Sequence, residues 1–242
     1  MRTLLASVLA LLAAALSGAS EEPPVLFRTL ALGGTVEGVF YDVRPGKAVA
    51  LSAVRGGFSS TYESPADGRV QIYRELPPVP PETVPRRVPV AEAQIGKGGP
   101  WLLMLIAPPE TRPGEAFRVE ARAVDDSWEV HPVKTIRVIN YLKRRARAAV
   151  KIGESAVEVP AGQSQIFAYP GGQEESWVQV AVLEEEGWIM RASEPKATFA
   201  KTRSTLILSH APPSPAEPSP RGVVISSLIE AAPRPSGLAK AN

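Results

Sequence analysis

The sequence contains no cysteine. That absence closes off disulfides, thiolate nucleophiles and cysteine-ligated zinc, and also a lipoprotein anchor, which needs a cysteine at the cut site. Histidine is nearly absent too: His131 and His210 are the only two, 79 residues apart and in no ligand motif. No metal site or Ser–His pair is therefore marked. The formal net charge is +2, too small to draw the chain toward nucleic acid or an acidic membrane. Long apolar runs are missing. WLLMLIA (101–107) has seven residues, and the N-terminal run from Leu4 to Leu16 falls short of the roughly 20 that span a bilayer. No phosphate loop is present, because GKGGP (96–100) lacks the following Ser/Thr and helix. GQSQI (162–166) misses the last position of the G-x-S-x-G elbow and sits on a turn leading into a strand.

What is present begins with MRTLLASVLALLAAALSGAS. One cation, Arg2, precedes the apolar run, and small residues including Ser17 and Ala19 follow it. This is the layout of a secretory signal peptide over residues 1–19, cut after Ala19. It implies an exported protein, periplasmic or extracellular, with no membrane span in the mature chain.

The rest reads as short strands between turns. VLFRTLAL (25–32), TVEGVFYDV (35–43), AVALSAV (48–54) and RVQIYREL (69–76) are rich in β-branched and apolar residues. WLLMLIA is apolar throughout, as a strand covered on both faces would be. AFRVEARAV (116–124) alternates, with Phe117, Val119 and Ala121 on one side. From Val133 a second series follows: KTIRVINY, RAAVKIG, SAVEV, SQIFAY, SWVQVAVL, GWIMRA and STLILSH. In the first of these, Ile136 and Val138 oppose Arg137 and Ile139. The helix formers of YLKRRARAAVKIGE are read as a hairpin because strand-like runs flank them. The expected fold is all-β: two small β-sandwich-like domains, 21–128 and 133–211. Proline, 25 residues of 242, is clustered rather than spread. It marks a long extended loop at 75–89 and a Pro-rich tail, 212–242, expected to be flexible apart from an apolar patch from Val223 to Ile229.

The passage between the domains, VDDSWEVHPVKTIRVINY (124–141), sets two aspartates ahead of a histidine. Adjacent residues of an extended chain point to opposite sides, so Asp125 and Asp126 do not converge unless the chain turns. Aspartate also favours turns, and His131 before Pro132 is biased to be extended. The stretch is read as a connector rather than a catalytic or metal-binding group. It resembles uncharacterised exported bacterial proteins built of two small β-domains, through Asp125, Asp126, Ser127, Pro132, Arg137, Val138 and Asn140. His131 and Lys134 stand where that pattern has an aromatic and a glycine or small residue. The resemblance implies architecture, not activity. The second domain is also similar to small β-domains of periplasmic accessories of exopolysaccharide modification.

No catalytic, cofactor-binding or metal-binding residue is assigned, and no cofactor. The expected function is a non-enzymatic structural or protein-interaction module of the cell envelope. Its partner would be an envelope protein or an anionic glycan, not nucleic acid. The alternative is a carbohydrate-binding module using exposed aromatics, and an enzyme of unknown type comes third. The candidate surface is the basic run Lys143, Arg144, Arg145 and Arg147, continued by Lys151, together with Trp128 in the connector and Trp177 beside Gln179. Trp101 and Trp188 head apolar strands and are expected in the core.

Overall fold

A computed structural model describes residues 23–107, 117–142, 146–170, 175–197, 199–210 and 222–232. Sixteen strands and no helix occur among them. The first domain contains β1 (Leu26–Gly33), β2 (Val36–Arg44), β3 (Lys47–Ala53), β4 (Tyr62–Glu63), β5 (Arg69–Leu76), β6 (Arg86–Gln94), β7 (Trp101–Ala107) and β8 (Glu120–Asp125). The second contains β9 (Thr135–Asn140), β10 (Ala148–Ile152), β11 (Ser155–Val159), β12 (Ser164–Ala168), β13 (Glu175–Glu184), β14 (Gly187–Ala197), β15 (Thr202–His210) and β16 (Val223–Ala231).

Each domain is a sandwich of two four-stranded sheets. The first stacks β4-β1-β7-β8 on β3-β2-β5-β6, and the second stacks β12-β9-β15-β16 on β11-β10-β13-β14. Alternation explains each core. Phe27 and Ala31 of β1 and Leu103 and Leu105 of β7 meet Val39, Tyr41, Leu51 and Ile72 of the facing sheet. Ile136, Val138, Leu206 and Leu208 meet Val150, Val178 and Val180 in the second.

On β1 and β7 the residues of opposite parity are buried as well. Leu30 and Leu32 of β1 and Leu102 and Met104 of β7 pack on Ile139 and Ile207 of the other domain. The two inner sheets thus lie face to face, and the four sheets form one stack. This is why WLLMLIA carries no polar position: Leu102, Leu103 and Leu105 are all fully buried. β9 and β15 are likewise buried on both faces, with Arg137 and Arg203 among the buried positions, and they pair in parallel at the centre of their sheet, as β1 and β7 do in theirs.

Turn chemistry sets the register at two glycines. Gly68 (φ 73°) follows Asp67, whose Oδ1 accepts from Arg69 N at 3.0 Å, and a Cβ there would stand 2.2 Å from Ile95 O. Gly162 (φ 71°) lets the Arg122 guanidinium of the first domain lie on the turn, where Arg122 Nη1 donates to Gly162 O. Lys134 is the one non-glycine described with positive φ, at 60°. Its N–H donates to Thr202 O (2.7 Å) and its C=O accepts from Tyr169 N (2.8 Å), which holds the strained residue at both ends. A glycine would adopt this φ without strain.

Two proline-rich expectations change. The loop expected at 75–89 is shorter, since β5 runs to Leu76 and β6 begins at Arg86. Pro89 is accommodated in β6 because that strand is an edge and the pairing shifts register between Ile72 and Tyr73. The tail is not flexible throughout. Residues 223–231 form β16, paired with the whole of β15, because Val223 and Ile225 alternate into the second core. The rest of the tail, the leader at 1–19 and Lys143–Arg145 lie outside the described residues.

Candidate functional site

Two places gather side chains capable of chemistry or contact: the seam between the inner sheets, and the open outer face of the second domain.

The seam is organised by Asp126. Its backbone N–H donates to Pro100 O, 2.9 Å away, directing the carboxylate inward while Asp125 Oδ1 accepts from Ser127 N in a local turn. The Asp126 side chain is 1% exposed. Three arginines converge on it. Arg28 Nη2 of β1 donates to Oδ2 at 2.5 Å, Arg137 Nη1 of β9 to Oδ1 at 2.7 Å, and Arg203 Nη2 of β15 to Oδ2 at 3.1 Å. Arg203 Nη1 also donates to the backbone oxygens of Asp126 and His131, and Arg137 Nη2 to Asp125 O. Glu230 of β16 adds a second carboxylate. It accepts from Arg28 Nη1 and Nη2 and lies 3.3 Å from Arg203 Nε. Arg137 and Arg203 can be buried here because they alternate with core residues, on the face that meets the other domain.

His131 is fully buried beside this group. Its Nε2 lies 3.2 Å from Ser204 O and its Nδ1 3.5 Å from Asp126 Oδ1. Both partners are acceptors, so a neutral ring can serve only one of them at a time. Burial lowers the His131 pKa, and the neighbouring Arg137 and Arg203 reinforce this against the Asp126 hydrogen bond. For Asp126, burial alone would raise the carboxyl pKa. The His131 hydrogen bond and the charges of Arg137, Arg203 and Arg28 outweigh it and hold the group at about 2. Burial also lowers the Arg137 pKa. The terminal nitrogens of Arg28, Arg137 and Arg203 are spent within this constellation, while Arg137 Nε and Arg203 Nε are buried without a hydrogen bond. An ionised carboxylate held by three arginines is a poor general base, and among the described residues no hydroxyl is hydrogen-bonded to His131.

A shallow open depression of about 390 Å³ adjoins the seam, lined by Val124, Asp125, Val130, Arg137, Ser164 and Gln165. Its one cation, Arg137, already has both terminal nitrogens engaged. Among the described residues no group of three or more His, Asp or Glu could hold a metal ion.

The outer face of the second domain is different in kind. Val178, Val180 and Val182 of β13 point into the core, so Trp177, Gln179, Ala181 and Leu183 point out. Across the strand pair these face Pro195, Ser193, Met190 and Trp188. Trp177 is 60% exposed, Met190 53% and Trp188 46%. Trp188 was expected in the core, and the structure corrects this. A bulge between Val180 and Ala181 adds one residue, Arg191, to β14 and reverses its alternation. Ala192 and Glu194 therefore share an inward parity with Ile189, while Met190 and Trp188 face outward. Trp101, by contrast, packs against the first core, with Gly96 and Gly99 leaving room for its ring.

The other candidate residues separate. Trp128 is not an open platform: the Arg203 guanidinium lies 3.9 Å from its ring centre, capping the seam. Arg147 is at the outer face, paired with Glu158 and 5.8 Å from the Trp188 ring. Lys151 is exposed on the same face with no partner among the described residues. Asn140, part of the junction pattern, is buried and ties down the following loop, donating to Val159 O (2.7 Å) and accepting from Leu142 N (3.0 Å). Sequence reasoning missed Arg28, Arg203 and Glu230. The available signal was charge at an inward-parity position of strands otherwise apolar.

No protein-family model and no curated protein matches the chain.

Proposed function

We propose that this chain is an exported, non-enzymatic binding module of the cell envelope, and that it makes contact through the outer β11-β10-β13-β14 sheet. The observation that carries this reading is the exposure of Trp177, Trp188 and Met190 together on one face. Large aromatic and thioether side chains held in water on a regular sheet are what a binding surface uses, since they gain most from being covered. Two further observations support it. The histidine and carboxylates of the seam are engaged with its arginines and backbone, so among the described residues there none is offered as a free acid or base. The N-terminal segment has the order of a secretory leader. Of the basic run, Arg147 lies at this face, so the two candidate surfaces of the sequence meet here in part.

The test is affinity capture from the organism's envelope fraction with the mature chain and with a Trp177→Ala/Trp188→Ala/Met190→Ala variant. The expected result is envelope material bound by the first and lost by the second. Identical capture by both, or turnover of a compound in a broad substrate panel, would overturn the reading.

A further inference from the structure

The exposed side chains of the outer face do not form one greasy patch. Pairing fixes their order. Trp177 sits opposite Pro195 near one end, and Leu183 sits opposite Trp188 near the other. Leu183 is six residues further along β13 than Trp177, which places the two indoles about 20 Å apart along the sheet. Between them lie two rows that cross the strands. One is Lys151, Gln179 and Ser193, polar throughout. The other is Ala149, Ala181 and Met190, small or flexible and apolar. A protein partner covering this face would bury the polar row between two apolar ends, at a desolvation cost its own groups must match. A sugar polymer has the complementary alternation. Each ring offers an apolar C–H face that lies flat on an indole, and hydroxyls at its rim that need donors and acceptors.

Charge narrows the class. Arg147 is neutralised by Glu158, and in the two rows between the indoles Lys151 is a single cation rather than part of a basic run. With no dominant sign, the face gives an acidic polymer no long-range attraction. Lys151 and Gln179 are long enough to reach hydroxyls without an anionic partner. We infer that the outer face of the second domain binds an extended, uncharged polysaccharide, with Trp177 and Trp188 as two stacking platforms and Lys151, Gln179 and Ser193 bonding the hydroxyls of the sugars between them. This inference rests on the binding face proposed above and adds its ligand class.

The experiment is affinity electrophoresis of the mature chain through gels containing a soluble β-glucan, a xylan, a mannan or, as the acidic arm, polygalacturonate. Tryptophan fluorescence with the matching oligosaccharides gives the affinity. Retardation by at least one neutral polymer is expected. Trp177→Ala and Trp188→Ala should each weaken it about tenfold, the loss of one ring–ring contact of about 1.4 kcal/mol, and Lys151→Ala by a few-fold. An unchanged melting temperature in each variant ties the loss to the face and not to folding. No retardation by any neutral polymer, retardation indifferent to both tryptophans, or binding to polygalacturonate alone would overturn the inference. If the envelope capture still depends on Trp177 and Trp188 while every neutral polymer fails, the ligand class is wrong and the binding face stands.

Discussion

On the outer sheet of the first domain, the Tyr73 ring packs 6.2 Å from Phe40 and lies beneath Arg87, whose guanidinium is 4.4 Å from its centre. Arg87 Nη1 in turn donates to Asp42 Oδ2 at 2.8 Å, and Tyr73 Oη donates to Asp42 Oδ1 at 2.7 Å. On the corresponding sheet of the second domain, Trp177 has no such lid among the described residues, and Arg147 reaches only to 5.8 Å from Trp188. Both sheets close the same four-layer stack, so the fold does not dictate the difference. The first face finishes its aromatics with its own charges. The second leaves them to something else. The seam between the domains is the extreme of the first behaviour, since Asp126 pairs there with buried Arg137 and Arg203, and Arg28 and Glu230 close its rim.

That contrast can be broken first at the seam. Asp126→Ala would leave Arg137 and Arg203 buried without their shared counter-charge. Removing one partner of a buried pair costs about 3–5 kcal/mol, so the urea midpoint should fall sharply, with separate unfolding of the two domains as the expected signature. The second test is acid. The folded Asp126 carboxyl titrates at about 2, below the value near 3.8 of the free side chain. Its stabilisation is therefore complete above about pH 4 and is lost as pH falls toward 2. The difference amounts to about 2 kcal/mol, and Asp126→Asn should remove this part of the acid dependence. Stability against denaturant, measured from pH 6 to pH 2 in both proteins, checks it. Third, Arg87→Ala strips the lid from Tyr73. A small loss of stability should go with it, and Tyr73 should become more accessible to a fluorescence quencher or a tyrosine-nitrating reagent. Last, Trp177→Ala should change stability by less than about 0.5 kcal/mol in the ligand-free protein. A large loss there would mean that Trp177 is part of the core, and the proposed face would shrink to Trp188 and Met190.

Much of the layer order was legible because alternation is a local signal. The seven apolar residues of WLLMLIA announced a strand with no wet face, and KTIRVINY set Ile136 and Val138 against Arg137 and Ile139. What could not be read was that the Arg137 side of β9 is also dry. A charged residue at an alternate position ordinarily marks solvent, and only the arrival of the other domain, with Asp126, reverses that meaning. Asp126 itself looked like half of a turn; the turn is made by Asp125 alone. Trp188 was misjudged for a related reason: one extra residue at Arg191 flips the parity of its strand, and nothing in GWIMRA marks the bulge. In the tail the apolar patch from Val223 to Ile229 was legible; what could not be read was that it pairs with the whole of β15.

Glu230 sits on the last strand and holds Arg28 on the first, 202 positions away. A chain that emerges from a ribosome or a translocation channel starting at its N-terminus acquires this clasp only after the other fifteen described strands have passed. Until residues 223–231 arrive, β15 presents a bare row of amide groups, and Arg28 lacks one of its two carboxylates. Premature termination ahead of β16 would thus yield something worse than a shortened copy: a protein with an adhesive rim and an unbalanced charge at its waist, suited to clumping with its neighbours and to early removal by proteases.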